Sequence, residues 1–267
     1  MIPARSAGRE CLRTARAACL GLAVLGAACG AAPAQVQRPA QGERPFEVEI
    51  RRFEEEDRRS PPPPHAVLFT GSSSIRLWST LARDFEGIPV IQRGFGGSQM
   101  ADLVHYAPRI VLPYRPGTVL VYEGDNDIAS GKTPRQVHKD WRALVGLIHR
   151  ELPSTHILFI SIKPSPARWR MVRRVREANA LIRRHCSTDR RLGYVDVFTR
   201  MLGRDGRPRR ELFLEDGLHL NAEGYALWTR IIRPLLRRER AAVEGRAAPE
   251  RFRGGGGSGR GLPAAVS

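Results

Sequence analysis

Cysteine, lysine and aromatic residues are scarce in this 267-residue chain. Three of its four cysteines, Cys11, Cys19 and Cys29, fall near the amino terminus, which leaves Cys186 alone in the rest of the sequence. No disulfide can form within that remainder, and no Cys/His grouping has the spacing of a zinc site. The sequence therefore predicts a domain that is stabilised by packing and holds no metal.

Lysine accounts for only three of the 44 basic residues, so the formal net charge of +17 comes mainly from arginine. Such an excess fits nucleic-acid binding, attraction to an anionic envelope surface, or a compositional bias of the source. Nucleic-acid-binding domains combine basic residues with a recognisable module or exposed aromatics. Because aromatic residues make up 7% of the chain and we find no such module, we expect no specific nucleic-acid partner.

Long hydrophobic runs are also missing. The run at residues 17–28 is too short to remain as a membrane-spanning helix, and it follows several arginines, which is the pattern of an export signal. Residues 32–34, Ala-Pro-Ala, are typical of a signal-peptidase site, whereas residues 25–29 resemble a bacterial lipoprotein processing box. The sequence thus predicts an exported protein, either periplasmic, secreted or lipid-anchored. Cleavage after Ala34 and membrane attachment through a lipid on Cys29 both stay open.

The chain after this signal divides into three parts. Residues 35–64 predict a polar tether with a short amphipathic helix, residues 65–241 predict one α/β domain, and the glycine-rich residues 242–267 predict a disordered tail. The predicted strands are 66–70, 89–92, 118–122, 156–162 and 192–198, and the predicted helices of the domain are 75–85, 100–112, 134–152, 168–185 and 222–238. This alternation indicates a three-layer α/β/α sandwich around a five-stranded parallel sheet.

Polar stretches at Ser73, Gly97 and Asn126 each follow a predicted strand directly. Ligands in such folds bind where the strands end, so we expect these stretches to converge on one edge of the sheet. The glycines around Gly97 do not complete a dinucleotide-binding G-x-G-x-x-G motif, because Gln99 stands at the third glycine position.

The serines of Gly71-Ser72-Ser73-Ser74 have two interpretations. Taken alone, the stretch is typical of a helix N-cap. One serine is instead a candidate nucleophile if a base, a group that orients the base, and oxyanion donors occur elsewhere. Only geometry can separate Ser73 from its two neighbours.

Asp216 and His219, just before the last predicted helix, are the candidate orienting group and base. Their spacing allows the carboxylate to hold the imidazole ring, so that the other ring nitrogen accepts the proton of Ser73. The candidate oxyanion donors are the backbone N–H groups of Ser73 and Gly97 and the side-chain amide of Asn126. Taken singly, these residues also have non-catalytic interpretations. Asp216 and Asn126 are typical turn residues, and His219 could be an ordinary surface histidine.

Together these residues resemble the four blocks of the SGNH, or GDSL-type, hydrolase superfamily. The blocks are residues 71–74, Gly97, 124–127 and 216–219, in the family's order, and the resemblance covers residues 66–236. Two positions depart from the common pattern: Ser72 replaces the Asp of Gly-Asp-Ser, and Gln92 stands where the family often has Asn.

The resemblance implies a flavodoxin-like fold and ester hydrolysis without a cofactor. It assigns the nucleophile to Ser73 and supporting roles to Gly71, Gly124 and Asp127. We therefore expect an exported serine esterase that acts on small carboxylic esters, with acetyl as the favoured acyl group and an acetylated carbohydrate or a lysophospholipid as the substrate. An O-acyltransferase with the same site and a non-catalytic basic envelope-binding protein are the alternatives.

Overall fold

The computed structural model of the protein describes residues 45–64 and 66–247, with side chains described as far as Arg238. The expected export signal, its processing positions at Cys29 and Ala34, most of the predicted tether and residues 248–267 of the predicted tail lie outside these residues.

Five parallel strands form the central sheet in the order β2-β1-β3-β4-β5. The strands are β1 (Val67–Gly71), β2 (Val90–Gly94), β3 (Thr118–Tyr122), β4 (His156–Ile160) and β5 (Leu192–Val195). The strand order reverses at β1, and the register aligns Gly71 with both Gly94 and Tyr122. The carboxyl ends of β1, β2 and β3 therefore lie side by side at the position where α/β sheets bind ligands.

Helices cover both faces of this sheet, which confirms the predicted α/β/α sandwich. The α-helices are α1 (Glu47–Arg59), α2 (Ser73–Arg76), α3 (Leu81–Asp84), α4 (Met100–Ile110), α5 (Asp125–Ala129), α6 (Pro134–Glu151), α7 (Val172–Cys186) and α8 (Ala222–Ala247). One apolar cluster joins the sheet to α1, α4, α6 and α7, and the other joins it to α2, α3 and α8. Alternate strand residues supply the two clusters, as the pleat of a strand requires.

Helix α1 contributes to the domain core, although the sequence placed it in the segment ahead of the domain. Phe53 is buried in the first apolar cluster. Arg109 of α4 forms an ion pair with Glu54 at 2.7 Å, and the buried Arg93 of β2 pairs with Asp57. Part of the arginine excess therefore holds α1 against the sheet and α4.

The predicted helix at residues 75–85 is instead two short helices, α2 and α3, joined by a turn. The fully buried Trp78 lies in this turn, and its Nε1–H donates to Asp84 Oδ2 at 2.7 Å. Thr80 Oγ1 donates to the same carboxylate oxygen at 2.5 Å. A continuous helix would bring residues 80 and 84 together but not residues 78 and 84, so the turn is what gives the buried indole N–H its partner.

Two other helices differ from the predicted boundaries. Residues 166–171 form a 3₁₀ helix that starts at Pro166, so α7 begins at Val172 rather than at residue 168. Helix α8 continues to Ala247, so residues 242–247, which were assigned to the disordered tail, are helical. Strong helix formers such as Ala242 and Glu244 continue the helix there. No helix within residues 45–64 and 66–247 has the length and apolar character needed to cross a bilayer.

Candidate active site

Ser73 is the accessible serine of the Gly-Ser-Ser-Ser stretch. It begins α2 directly after β1, where it is partly exposed, whereas Ser72 is 2% exposed and Ser74 is fully buried. Gly71 permits this tight exit from the strand: its φ is +132°, and a Cβ atom there would lie 2.0 Å from the carbonyl oxygen of Tyr122. The backbone thus presents one hydroxyl group and buries the other two.

The ring of His219 lies between Ser73 and Asp216. Its Nε2 atom is 3.2 Å from Ser73 Oγ, and its Nδ1 atom is 2.6 Å from Asp216 Oδ2. A carboxylate can only accept, so Nδ1 carries the proton and donates it, which leaves Nε2 free to accept from the Ser73 hydroxyl. The three residues that the sequence singled out are therefore in continuous hydrogen-bond contact.

Asp216 is fixed by its own loop. Its Oδ1 atom accepts from the backbone N–H groups of Leu218 at 2.8 Å and His219 at 3.0 Å. Burial alone would raise the pKa of Asp216, but these N–H groups and the His219 ring lower it to about 2. The carboxylate therefore stays charged at neutral pH and keeps the ring oriented. We call residues 214–221 the base loop.

Asn126 lies beside the Gly97 loop. It is in α5, directly after β3, and its Nδ2 donates to the carbonyl oxygen of Ser98 at 2.9 Å. Since Ser98 follows Gly97, this bond brings two of the predicted oxyanion donors to the same place. The third, the N–H of Ser73, belongs to the first turn of α2, where backbone N–H groups have no partner within the helix.

Asp127 and Gly124 support this arrangement from either side of Asn126. The buried Asp127 accepts from the N–H of Met100 at 3.0 Å and from Lys132 Nζ at 2.8 Å, which ties α5 to the start of α4. Gly124 has a φ of +103°, and a Cβ atom there would lie 2.7 Å from Ile162. A residue with a Cβ atom would be strained at this φ and would displace the Ile162 side chain, so glycine suits the turn after β3.

Asp125 forms a buried ionic cluster that the sequence analysis did not identify. Its Oδ2 atom accepts from Lys163 Nζ at 2.8 Å, and its Oδ1 atom accepts from Arg168 Nη1 at 2.7 Å. Burial alone would raise the pKa of Asp125, but the charges of Lys163 and Arg168 hold it below its usual value. We call these three residues the Asp125 cluster. The one available signal was that Lys163, a rare lysine in an arginine-rich chain, directly follows a predicted strand.

Glu123 lies two residues before Asp125 in the chain, in an environment that disfavours its charge. It is fully buried, and burial raises the pKa of its carboxyl group well above the usual value. Ser98 Oγ lies 2.6 Å from Glu123 Oε1 and 2.8 Å from the carbonyl oxygen of Phe95. The Ser98 hydroxyl donates to Glu123, and the carbonyl oxygen of Phe95 is a second acceptor within its reach. Glu123 therefore supports the residue whose backbone carbonyl holds Asn126.

A cleft of about 380 Å³ adjoins the base loop. It lies between α2–α3 and the start of α8, and its lining includes Leu77, Leu214, Leu220 and Tyr225. Leu77 is one helical turn after Ser73, and Leu220 directly follows His219. Among the described residues, Leu77 and Leu214 are the large apolar side chains that stay exposed, at 38% and 48%. This apolar surface is next to the candidate catalytic groups.

Several known proteins are similar to this chain. The human platelet-activating factor acetylhydrolase IB subunit alpha1 is 26% identical over 192 residues, which is 68% of this chain and 80% of that protein. A GDSL-like lipase from Bacteroides thetaiotaomicron has a similar structure, with a TM-score of 0.63, 19% identity, and coverage of 72% of this chain and 98% of the lipase. An acetylxylan esterase from Geobacillus stearothermophilus superimposes with a TM-score of 0.52 at 14% identity, covering 64% and 93% of the two chains.

The profile of the GDSL-like lipase/acylhydrolase family matches residues 68–227, which is more than half of the chain. The match extends from β1 into α8 and so includes Ser73, Gly97, Asn126, Asp216 and His219. The chain therefore belongs to the GDSL-like lipase/acylhydrolase family, whose fold and hydrolase class it shares.

Proposed function

We propose that this protein is a serine esterase that hydrolyses small carboxylic esters through Ser73, His219 and Asp216. The observation that carries the proposal is the continuous hydrogen-bond contact from Ser73 Oγ through His219 to Asp216, with Ser73 alone accessible among its neighbouring serines. A nucleophile, a base and a group that orients the base are the parts that acyl transfer requires.

The reaction proceeds in two steps. Ser73 Oγ attacks the carbonyl carbon of the ester while its proton passes to His219 Nε2. The tetrahedral intermediate collapses, and the leaving alcohol takes that proton. Water then attacks the acyl-enzyme, gives a proton to His219 and releases the acid, and Ser73 recovers its proton. Asp216 stays ionised throughout and stabilises the charged imidazole ring.

Negative charge develops on the carbonyl oxygen in both steps, and we assign its stabilisation to the N–H groups of Ser73 and Gly97 and to Asn126. Asn126 Nδ2 has two hydrogens, and Ser98 takes one of them. The second is available for the oxyanion. Donors of this kind each contribute about 100-fold to 1,000-fold to kcat.

A short acyl group, acetyl in particular, is our proposal for the substrate. The names of two similar proteins, an acetylhydrolase and an acetylxylan esterase, refer to acetyl esters. Acetylated carbohydrates and small phospholipid esters are therefore the two substrate classes to compare.

Hydrolysis of p-nitrophenyl acetate by the full chain tests the reaction. We expect turnover by the wild type, loss of about 10,000-fold or more in Ser73→Ala, and wild-type rates in a control at the exposed Ser187, Ser187→Ala. Full activity in Ser73→Ala would contradict the assignment. Butyrate and octanoate esters, acetylated xylo-oligosaccharides and a lysophospholipid then measure acyl length and substrate class.

We also propose that the protein is exported. The support is the arginine-flanked apolar run at residues 17–28 and the processing patterns that end at Cys29 and Ala34. Cell fractionation of the wild type and of Cys29→Ala tests this. Soluble periplasmic or secreted protein in both indicates cleavage after Ala34, and release from membranes in Cys29→Ala alone indicates a lipid anchor. Cytoplasmic wild-type protein would contradict export.

A further inference from the structure

Asn126 has its orientation fixed by two partners of opposite hydrogen-bonding character. The carbonyl oxygen of Ser98 can only accept, so it faces the Nδ2 amine at 2.9 Å. The guanidinium group of Arg168 can only donate, and its Nη2 lies 3.0 Å from Asn126 Oδ1. A flipped amide would set donor against donor and acceptor against acceptor. The two contacts together hold one amide orientation.

Arg168 is itself held rigidly. Its Nη1 donates to Asp125 Oδ1 at 2.7 Å while Nη2 donates to Asn126 Oδ1, so a single planar guanidinium group spans two neighbouring residues. The side chain of Arg168 is 20% exposed, and that of Asp125 is 6% exposed. A planar fork with two partners fixes the geometry in a way that an ammonium group cannot.

Lys163 anchors the other oxygen of Asp125 and reaches the nucleophile loop. Its Nζ atom donates to Asp125 at 2.8 Å, to Tyr122 Oη at 3.0 Å and to Ser74 Oγ at 3.2 Å. Ser74 directly follows Ser73. The Asp125 cluster therefore connects the helix that carries the candidate nucleophile with the amide that would contact the oxyanion.

The charges of the cluster do not cancel. Lys163 and Arg168 contribute two positive charges, and Asp125 contributes one negative charge, which leaves one net positive charge behind Asn126. Charges act more strongly on one another in a buried site than in water. A fixed positive charge at this position stabilises negative charge on an oxygen that Asn126 contacts, and it needs no reorganisation when that charge develops.

We infer that Arg168 is a positioning residue of the oxyanion hole, held by Asp125 and Lys163, which orients the Asn126 amide and adds positive charge behind it. The inference rests on the proposed esterase activity and names residues that the activity alone does not require. Arg168 acts through Asn126 and has no assigned contact with the substrate. Its effect therefore belongs in kcat, and the part that comes from orienting the amide should depend on the presence of Asn126.

A double-mutant cycle in the full chain tests the inference with p-nitrophenyl acetate. We expect Arg168→Met to lower kcat about 10-fold to 100-fold, which is below the loss from removing an oxyanion donor outright, with KM within about twofold because ground-state binding is unchanged. Arg168→Lys keeps the charge but loses the fork, so it should recover part of the rate. Arg170→Met, at an exposed position of the same 3₁₀ helix, is the matched control and should match the wild type.

The decisive comparison is made in the Asn126→Ala background. Adding Arg168→Met there should cost less than about threefold, because the effect on the amide orientation disappears with Asn126 and only the effect of the positive charge remains. An unchanged kcat in Arg168→Met, or the same loss with and without Asn126, would overturn the inference while wild-type turnover upholds the esterase. No wild-type turnover would overturn both. Melting curves identify a variant that fails to fold. If Arg168→Met does so, Arg168→Lys replaces it, and its loss in kcat must be smaller in the Asn126→Ala background than in the wild type.

Discussion

The two halves of the candidate site differ in their contact with water. In the base loop the Asp216 side chain is 46% exposed and the His219 side chain is 27% exposed. In the Asp125 cluster, Asp125 is 6% exposed and Lys163 is 2% exposed. Water can replace lost hydrogen bonds in the first region, whereas in the second a lost partner leaves a buried charge uncompensated. Substitutions in the base loop should therefore affect activity, and substitutions in the Asp125 cluster should affect folding as well.

Two buried carboxyl groups at the end of β3 differ from each other in the charges around them. Glu123 and Asp125 are both buried, two residues apart, and the pKa of Glu123 is raised while that of Asp125 is lowered. Two cations contact Asp125, whereas Glu123 is subject mainly to burial and also to the negative charges of Asp127 and Asp102, which oppose its ionisation. Burial therefore favours the neutral form unless specific positive partners outweigh it.

Replacing the base should give the largest effect on activity and little effect on folding. We expect His219→Ala to lower kcat/KM by about 10,000-fold to 1,000,000-fold, because the variant has no group to accept the proton of Ser73. Its urea midpoint should stay close to that of the wild type, since the ring is partly solvated. His105→Ala, at an exposed histidine of α4, is the control. An esterase activity that survives His219→Ala would remove the base from its assigned role.

Replacing the buried Lys163 should have a large effect on the stability of the folded protein. Lys163→Met leaves Asp125 paired with Arg168 alone and removes the hydrogen bond of the ammonium group to the carboxylate. A hydrogen bond to a charged group contributes about 1.5 to 3 kcal/mol, so we expect the free energy of unfolding to fall by about that amount. Urea denaturation measures the loss, with Lys139→Met at an exposed position of α6 as the control. Equal stability of the two variants would mean that Lys163 does not compensate Asp125 in the folded protein.

The sequence predicted the base loop better than the Asp125 cluster for a physical reason. Asp216 and His219 are three residues apart, so their contact follows from local spacing, and Ser73 and Asn126 follow predicted strands that end at a common edge. Lys163 and Asp125 are 38 residues apart. No local sequence pattern distinguishes Arg168 from the many other arginines. Its role depends on how the segments after β3 and β4 pack against each other. The break between α2 and α3 was missed for the same reason, because it depends on where Trp78 is buried.

Glu123 gives the smallest expected effect, and its sign follows from the direction of its pKa shift. The folded protein keeps the Glu123 proton above pH 4.5, where the unfolded chain releases it, so the wild type loses stability as the pH rises from 4.5 towards the raised pKa. Glu123→Gln has no such proton to lose, and its amide oxygen can accept from Ser98 Oγ as the carboxyl oxygen does. Relative to the wild type, the variant should therefore gain stability steadily as the pH rises. Urea unfolding at intervals between pH 4 and pH 8 measures this difference, with the exposed Glu215→Gln as the control. If the difference between Glu123→Gln and the wild type is flat or falls with pH, Glu123 is ionised in the folded state, and the contrast with Asp125 disappears.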